Sequence, residues 1–281
     1  MVENPIKRIV ERIAKERKIR RLLPNEFLQR AFNNLTTETA FAEEATERKR
    51  NWILEIRERK LIDPEILKNN PTVYIGSGTD VEFPILLGAQ NIIMVDPIFE
   101  DKEKVDEVIR RIEAMIGNNE LKISEEQINS KTKTIFEFTI DGINFRIEIV
   151  PVYYALQKII EHRRKMPSPR RYEEIKPGIE GQDLLGFMPP EKIGMILAFL
   201  PVEVSIDDDQ NTIRNLVPGG YILTTGSLPN LVNIQINEPW RFNMKQLKQS
   251  IQNRYQEIGY EFIQLECEKG IDYVFLRKLQ K

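Results

Sequence analysis

The chain has 281 residues, with 41 Lys+Arg against 43 Asp+Glu, and 41% of it is hydrophobic. That length holds one large domain, or a domain with a smaller appendage, and buries a core without disulfide or metal staples. The net charge of −2 argues against a protein dominated by nucleic acid or anionic membrane, and the lone Cys267 excludes an intramolecular disulfide, as suits a cytoplasmic protein.

Asn4-Pro5 reads as a helix start, with Ile6, Ile9, Val10 and Ile13 on one face. The opposite face is basic: Lys7, Arg8, Arg12, Lys15, Arg17, Lys18, Arg20 and Arg21. Interspersed acids make it a solvated face first and a phosphate-attracting stripe second. The amino terminus shows no apolar leader, and no run of ~18 apolar residues follows, so neither signal peptide nor membrane span is expected. Further helices are expected over Phe27–Leu35 and Thr39–Arg59. Asp63-Pro64 and Asn69-Asn70-Pro71 then break the chain, which closes a helical region over residues 1–70.

From Thr72 onward, apolar strands alternate with amphipathic helices. Val73-Tyr74-Ile75 is a short strand running into Gly76-Ser77-Gly78, with a brief helix near Glu82–Leu87. Asn91–Val95 is an unbroken apolar strand of the kind buried on both faces. Val105, Val108, Ile109, Ile112, Met115 and Ile116 mark a helix that Gly117 ends. Asp141-Gly142 joins alternating strands Thr134–Ile140 and Ile143–Val150 as a tight hairpin. A helix over Tyr154–Arg164 precedes a lid-like loop, residues 165–190, rich in helix breakers. His162, within Glu161-His162-Arg163-Arg164-Lys165, reads as a solvated surface residue; one His and one Cys cannot build a zinc site. Lys192–Leu200 is the next strand, Asp207–Leu216 a helix, and Tyr221–Thr225 a strand. A last helix (Leu247, Ile251, Tyr255, Ile258) precedes strands Tyr260–Cys267 and Asp272–Lys278. Asp207-Asp208-Asp209 reads as a helix cap, and no metal is expected.

Strand–helix–strand units of this spacing imply a parallel sheet. Its informative segment is Val73-Tyr74-Ile75-Gly76-Ser77-Gly78-Thr79-Asp80, with Asp96 ending the next strand. Glycines let bare backbone approach a ligand at the carboxyl edge, and an acid at the second strand's end can accept hydrogen bonds from ribose hydroxyls. A dinucleotide enzyme needs a third glycine, where this chain has Val81.

Thr72–Asp80 resembles the first motif of class I S-adenosylmethionine (SAM)-dependent methyltransferases, and Val95-Asp96-Pro97 resembles that family's acidic second-strand end. Ile193–Pro201 is similar to its fourth strand. Asn215-Leu216-Val217-Pro218-Gly219-Gly220-Tyr221 is similar to the turn entering its fifth, and the last two strands fit its closing antiparallel hairpin. The resemblance implies an α/β fold with a Rossmann-like, doubly wound, mostly parallel seven-stranded sheet over residues 71–281, with a hairpin insertion near 134–150. The helical region would cap the substrate side. It also implies SAM as cofactor, held by Gly76, Ser77, Gly78, Asp80, Asp96, Pro97, Ile98 and Phe199. Tyr153, Tyr154 and Glu203 stand near strand ends as candidate acceptor contacts. The chain departs from the family in having Tyr74 where an acid is common, and Asp80 where a third glycine is common.

No catalytic residue stands out, since methyl transfer relies on positioning more than on acid–base groups. The reading is methyl transfer to a small-molecule acceptor. The alternatives are a non-catalytic binding protein of the same fold, an RNA methyltransferase using the basic segments, or a SAM-using transferase that moves another group. Acceptor and oligomeric state stay open.

Overall fold

The computed structural model describes residues 5–36, 42–128, 131–150, 192–199, 216–225, 252–253, 255–257, 259–267 and 273–280. Four helices come first. α1 (Pro5–Leu22) starts on proline, whose fixed φ suits a first turn. α2 (Glu26–Asn34) is capped by Asn25, whose side chain accepts from the Leu28 amide at 2.9 Å. α3 (Ala42–Arg59) is followed by α4 (Pro64–Asn69), a single short helix capped by Asp63. In sequence the flanking Asp-Pro and Asn-Asn-Pro are plain breaks; a cap and an N-terminal proline instead let a helix form between them.

The sheet then begins. β1 (Thr72–Ile75) leads through the glycine loop to α5 (Glu82–Leu87), β2 (Asn91–Val95), a 3-10 turn (Pro97–Glu100) and α6 (Lys102–Ile116). β3 (Lys122–Ile128), β4 (Lys131–Ile140) and β5 (Ile143–Val150) form an antiparallel meander, with Asp141 and Gly142 both at positive φ (52° and 77°) in the last turn. β6 (Ile193–Phe199), β7 (Leu216–Thr225), β8 (Tyr260–Phe262) and β9 (Tyr273–Lys278) complete it.

The spatial order is β3-β4-β5-β2-β1-β6-β7-β9-β8. The five central strands, β5 to β7, are parallel neighbours, while β4 and β9 run against them. The expectation of seven strands is therefore corrected: nine are present among the described residues. The strand that sequence reading lacked is β3. Lys122-Ile123-Ser124-Glu125-Glu126-Gln127-Ile128 lies at the sheet edge, and Ile123 is 48% exposed, so no alternating apolar face marks it.

A second correction concerns the Leu216–Gly220 turn. β7 already pairs at Leu216, with Ile193, and the register shifts before Met195 meets Tyr221. The Pro-Gly-Gly segment is thus a bulge inside the strand, with Gly219 at φ 80°. The rest of the helix expected over Asp207–Leu216 lies outside the described residues.

Both faces of the central sheet are buried, which explains the uninterrupted apolar strands. Tyr74, Met94, Ile147, Leu197, Leu223 and Phe275 face one shared core; Val73, Ile75, Val95, Ile196, Ala198 and Ile222 are buried on the other face. α2 and α3, from the stretch read as an appendage, cover the first face. Phe27 of α2 meets Phe145 and Phe138 at ring separations of 5.3 and 6.1 Å, and Trp52 of α3 meets Tyr273 at 5.8 Å.

Candidate functional site

β1 sits between β2 and β6, and the chain leaves it first toward β2 and only later returns to its other side as β6. Such a reversal opens a crevice at the carboxyl ends of the two diverging strands. The loop after β1 occupies that point. Gly76 (φ 62°) and Gly78 (φ 54°) both need the left-handed region. The Gly76 amide donates to the Val95 carbonyl at 2.9 Å, which continues the β1–β2 ladder into the loop. A Cβ added at Gly78 would meet nothing within 4 Å, so bare backbone here borders open space.

Asp96 stands beside this loop. Its Oδ2 accepts from the Gly78 amide at 2.8 Å and its Oδ1 from the Ile98 amide at 3.0 Å. The first bond fixes loop and strand end together; the second caps the 3-10 turn that Pro97 opens. Burial pushes the Asp96 carboxyl above its ordinary range, partly opposed by those amides. A carboxylate offers about four lone-pair sites, and two are used here, so each oxygen can still accept from a ligand.

Asp80 is placed differently. It is 4% exposed, and its Oδ2 accepts from Lys49 Nζ of α3 at 2.5 Å and from the Tyr74 hydroxyl at 3.2 Å. Lys49 Nζ also lies 3.0 Å from the Tyr74 oxygen and over the Tyr74 and Phe83 rings. Asp80 Oδ1 accepts from the Phe83 amide at 3.3 Å and so starts α5. Beneath it, Arg111 of α6 holds the fully buried Glu82 through two nitrogens, at 2.6 and 3.0 Å, and approaches Asp80 at 4.0 Å. The same guanidinium contacts the hydroxyls of Thr36 (2.9 Å) and Thr79 (3.4 Å), and Thr79 donates to Glu107 at 2.8 Å. Burial pushes Glu82 up to about 7 despite Arg111. Burial, and then the Asp80 charge, hold the Tyr74 phenol well above its ordinary value.

The structure thus brings Gly76, Ser77, Gly78, Asp96, Pro97 and Ile98 to one edge. Ser77 is buried and donates to the Gly78 carbonyl at 3.0 Å, while Ile98 packs on the core. Phe199 ends β6 one residue beyond Ala198, the partner of Ile75, so its backbone lies next to the loop. Tyr153, Tyr154, Glu203 and the 165–190 segment lie outside the described residues, as does Asp207-Asp208-Asp209. Sequence reading missed Lys49 and Arg111. Lys49 carried a usable signal, because it lies at helical spacing from buried Trp52, Ile53 and Ile56, on the apolar stripe of α3. In α1, three cations of the basic stripe point elsewhere: Lys15 pairs with Glu47, and Lys18 and Arg21 with Glu58.

No family model matches the chain, and no curated protein matches it. Solved structures resemble it loosely. A candidate SAM-dependent methyltransferase from Listeria monocytogenes is 10% identical, at a TM-score of 0.36 over 80% of this chain and 98% of that one. A SAM-dependent methyltransferase from Aquifex aeolicus is 12% identical, at 0.33 over 81% and 95%. A candidate RNA methyltransferase from Pyrococcus horikoshii is 11% identical, at 0.34 over 83% of each chain.

Proposed function

We propose that the chain binds SAM at the crevice between β1 and β6 and transfers its methyl group to a small-molecule acceptor. The observation that carries this reading is the bond from the Gly78 amide to Asp96, which assembles a glycine loop and a buried acid at a topological switch point. The donor set suits an adenosine-containing ligand. Asp96 keeps one acceptor site on each oxygen for two ribose hydroxyls, and open space over Gly78 admits a ligand chain against bare backbone. Pro97 and Ile98 would lie along the base, and Gly76, Ser77 and Phe199 would border the sulfur.

The bound cofactor would supply an activated methyl group on a sulfonium. The chain's part is to orient it and to exclude water, a contribution of ~7–11 kcal/mol when the reactants are held in line. Tyr153, Tyr154 and Glu203 are proposed to contact the acceptor. A small acceptor is preferred to RNA because Lys15, Lys18 and Arg21 are engaged by acids of α3. No described helix is long and apolar enough to cross a membrane; a single cysteine, Cys267, allows no intramolecular disulfide, which suits a reducing, cytoplasmic setting.

Methyl-labelled SAM incubated with the protein and a fractionated cell extract provides the test. Label is expected in the small-molecule fraction. Label in RNA, with binding that weakens steeply as salt rises, would replace the proposed acceptor. Cofactor binding without transfer to any fraction would make this a non-catalytic binding protein.

A further inference from the structure

Asp80 is the acid nearest in sequence to the glycine loop, yet a cation already holds it. Lys49 reaches it from α3, an element that precedes the sheet, across a separation of 31 residues. The two side chains are 7% and 5% exposed, so the pair is removed from solvent screening. Tyr74 closes the arrangement by donating to the same carboxylate oxygen, and Phe83 supports the ammonium from its ring face at 5.2 Å. Below, Arg111 binds Glu82 and stands 4.0 Å from Asp80. Among the described residues two cations thus meet two acids, and pairing of this kind is the condition for tolerating such charges inside a protein.

We propose that Lys49 is a positioning residue that serves as the built-in counter-ion of Asp80, so that the site recognises the adenosine half of its ligand and does not read the ligand's amino group at Asp80. The inference rests on the reading of the crevice as a SAM site. Both acceptor sites of Asp80 Oδ2 are taken, by Lys49 and Tyr74, and Oδ1 faces the Phe83 amide and Arg111, so a ligand ammonium at either oxygen would have to compete with a cation already in place. With Lys49 in place, Asp80 braces the loop instead: its other oxygen takes the Phe83 amide, which ties the glycine turn to the start of α5. α3 thereby becomes part of the site, because the charge that holds the loop in shape comes from it.

The test compares two ligands by calorimetry: S-adenosylhomocysteine, and its deamino analogue in which a carboxypropyl thioether replaces the amino-acid arm. The wild type and Lys49→Arg are expected to bind both within about threefold. In Lys49→Met the ligand ammonium can take the vacated place, and a preference of about tenfold or more for the aminated ligand is expected, the effect of one hydrogen bond to a charged group. A tenfold preference in the wild type that Asp80→Asn abolishes would overturn the inference, as would a Lys49→Met protein with no gained preference. Should Lys49→Met fail to fold, the wild type and Asp80→Asn decide alone, with an unchanged ratio expected. Binding of neither ligand by the wild type would instead remove the SAM reading itself, and this inference with it.

Discussion

The Gly78 amide donates to Asp96 Oδ2 at 2.8 Å, across the gap between the loop after β1 and the end of β2. This bond orients the carboxylate that is assigned to the ribose. Asp96→Ala removes both ribose contacts, and each hydrogen bond to a charged acceptor is worth about 1.5–3 kcal/mol. A loss of at least about tenfold in SAM affinity is expected by calorimetry, with Asp96→Asn intermediate because it keeps one acceptor oxygen. Equal affinity in both variants and the wild type would separate Asp96 from the ligand.

The raised pKa of Asp96 makes binding sensitive to acid. Burial causes the shift, and the amides of Ile98 and Gly78 only partly oppose it. Ribose hydroxyls donate to the ionised form, so affinity is full above the folded pKa and falls as pH drops through it. That fall begins above the pH at which an ordinary aspartate would protonate. Asp96→Asn should show a flat profile over the same window.

Gly78→Ala separates backbone strain from ligand clearance. The added Cβ meets no protein atom within 4 Å, so its structural cost is the left-handed conformation alone, roughly 1–2 kcal/mol. Thermal unfolding should report that modest loss. SAM affinity should fall by more than the stability change accounts for, because the methyl group stands in the space assigned to the ligand.

Glu82 gives the fold a measurable pH dependence. Its carboxyl is pushed from 4.5 to about 7 by burial, so between those values the folded state binds a proton that the unfolded state has lost. Stability contributed by this group is therefore present at low pH and declines as pH rises from 4.5 toward 7, by up to about 3 kcal/mol. Urea midpoints for Glu82→Gln and wild type should converge on raising acidity and separate toward neutrality, with the variant's profile the flatter one.

Gly194 tests how α4 is seated. A Cβ there would stand 2.9 Å from the Ile66 carbonyl oxygen and 3.0 Å from Asn70 Cβ, so α4 must move off β6 to admit it. Gly194→Ala should lower stability by about 1–3 kcal/mol in urea unfolding while leaving SAM affinity within about twofold, since the contact lies at the opposite end of β6 from Phe199.

Where backbone chemistry is local, the sequence was legible. The run of β2, the apolar stripe of α6 and the Asp141-Gly142 turn each follow from spacing or from positive φ, and the structure keeps all three. The proximity of Asp96 to the glycine loop was legible too, because strand–turn–helix geometry sets it. β3 was not: its residues alternate nothing apolar, and only pairing with β4 makes it a strand. The quartet of Lys49, Asp80, Glu82 and Arg111 joins three helices and a loop, and charges read singly carry no record of their partners. Tyr74 illustrates the consequence. As a sequence it is a departure from an expected acid; in the structure its hydroxyl is a donor to Asp80.

Calorimetric titration of SAM into the wild type and into Asp96→Ala, side by side, tests the central assignment most directly. One saturable site in the wild type, weakened at least about tenfold in a variant that stays folded, is the predicted result. No heat of binding in the wild type, or one that Asp96→Ala leaves unchanged, would contradict it.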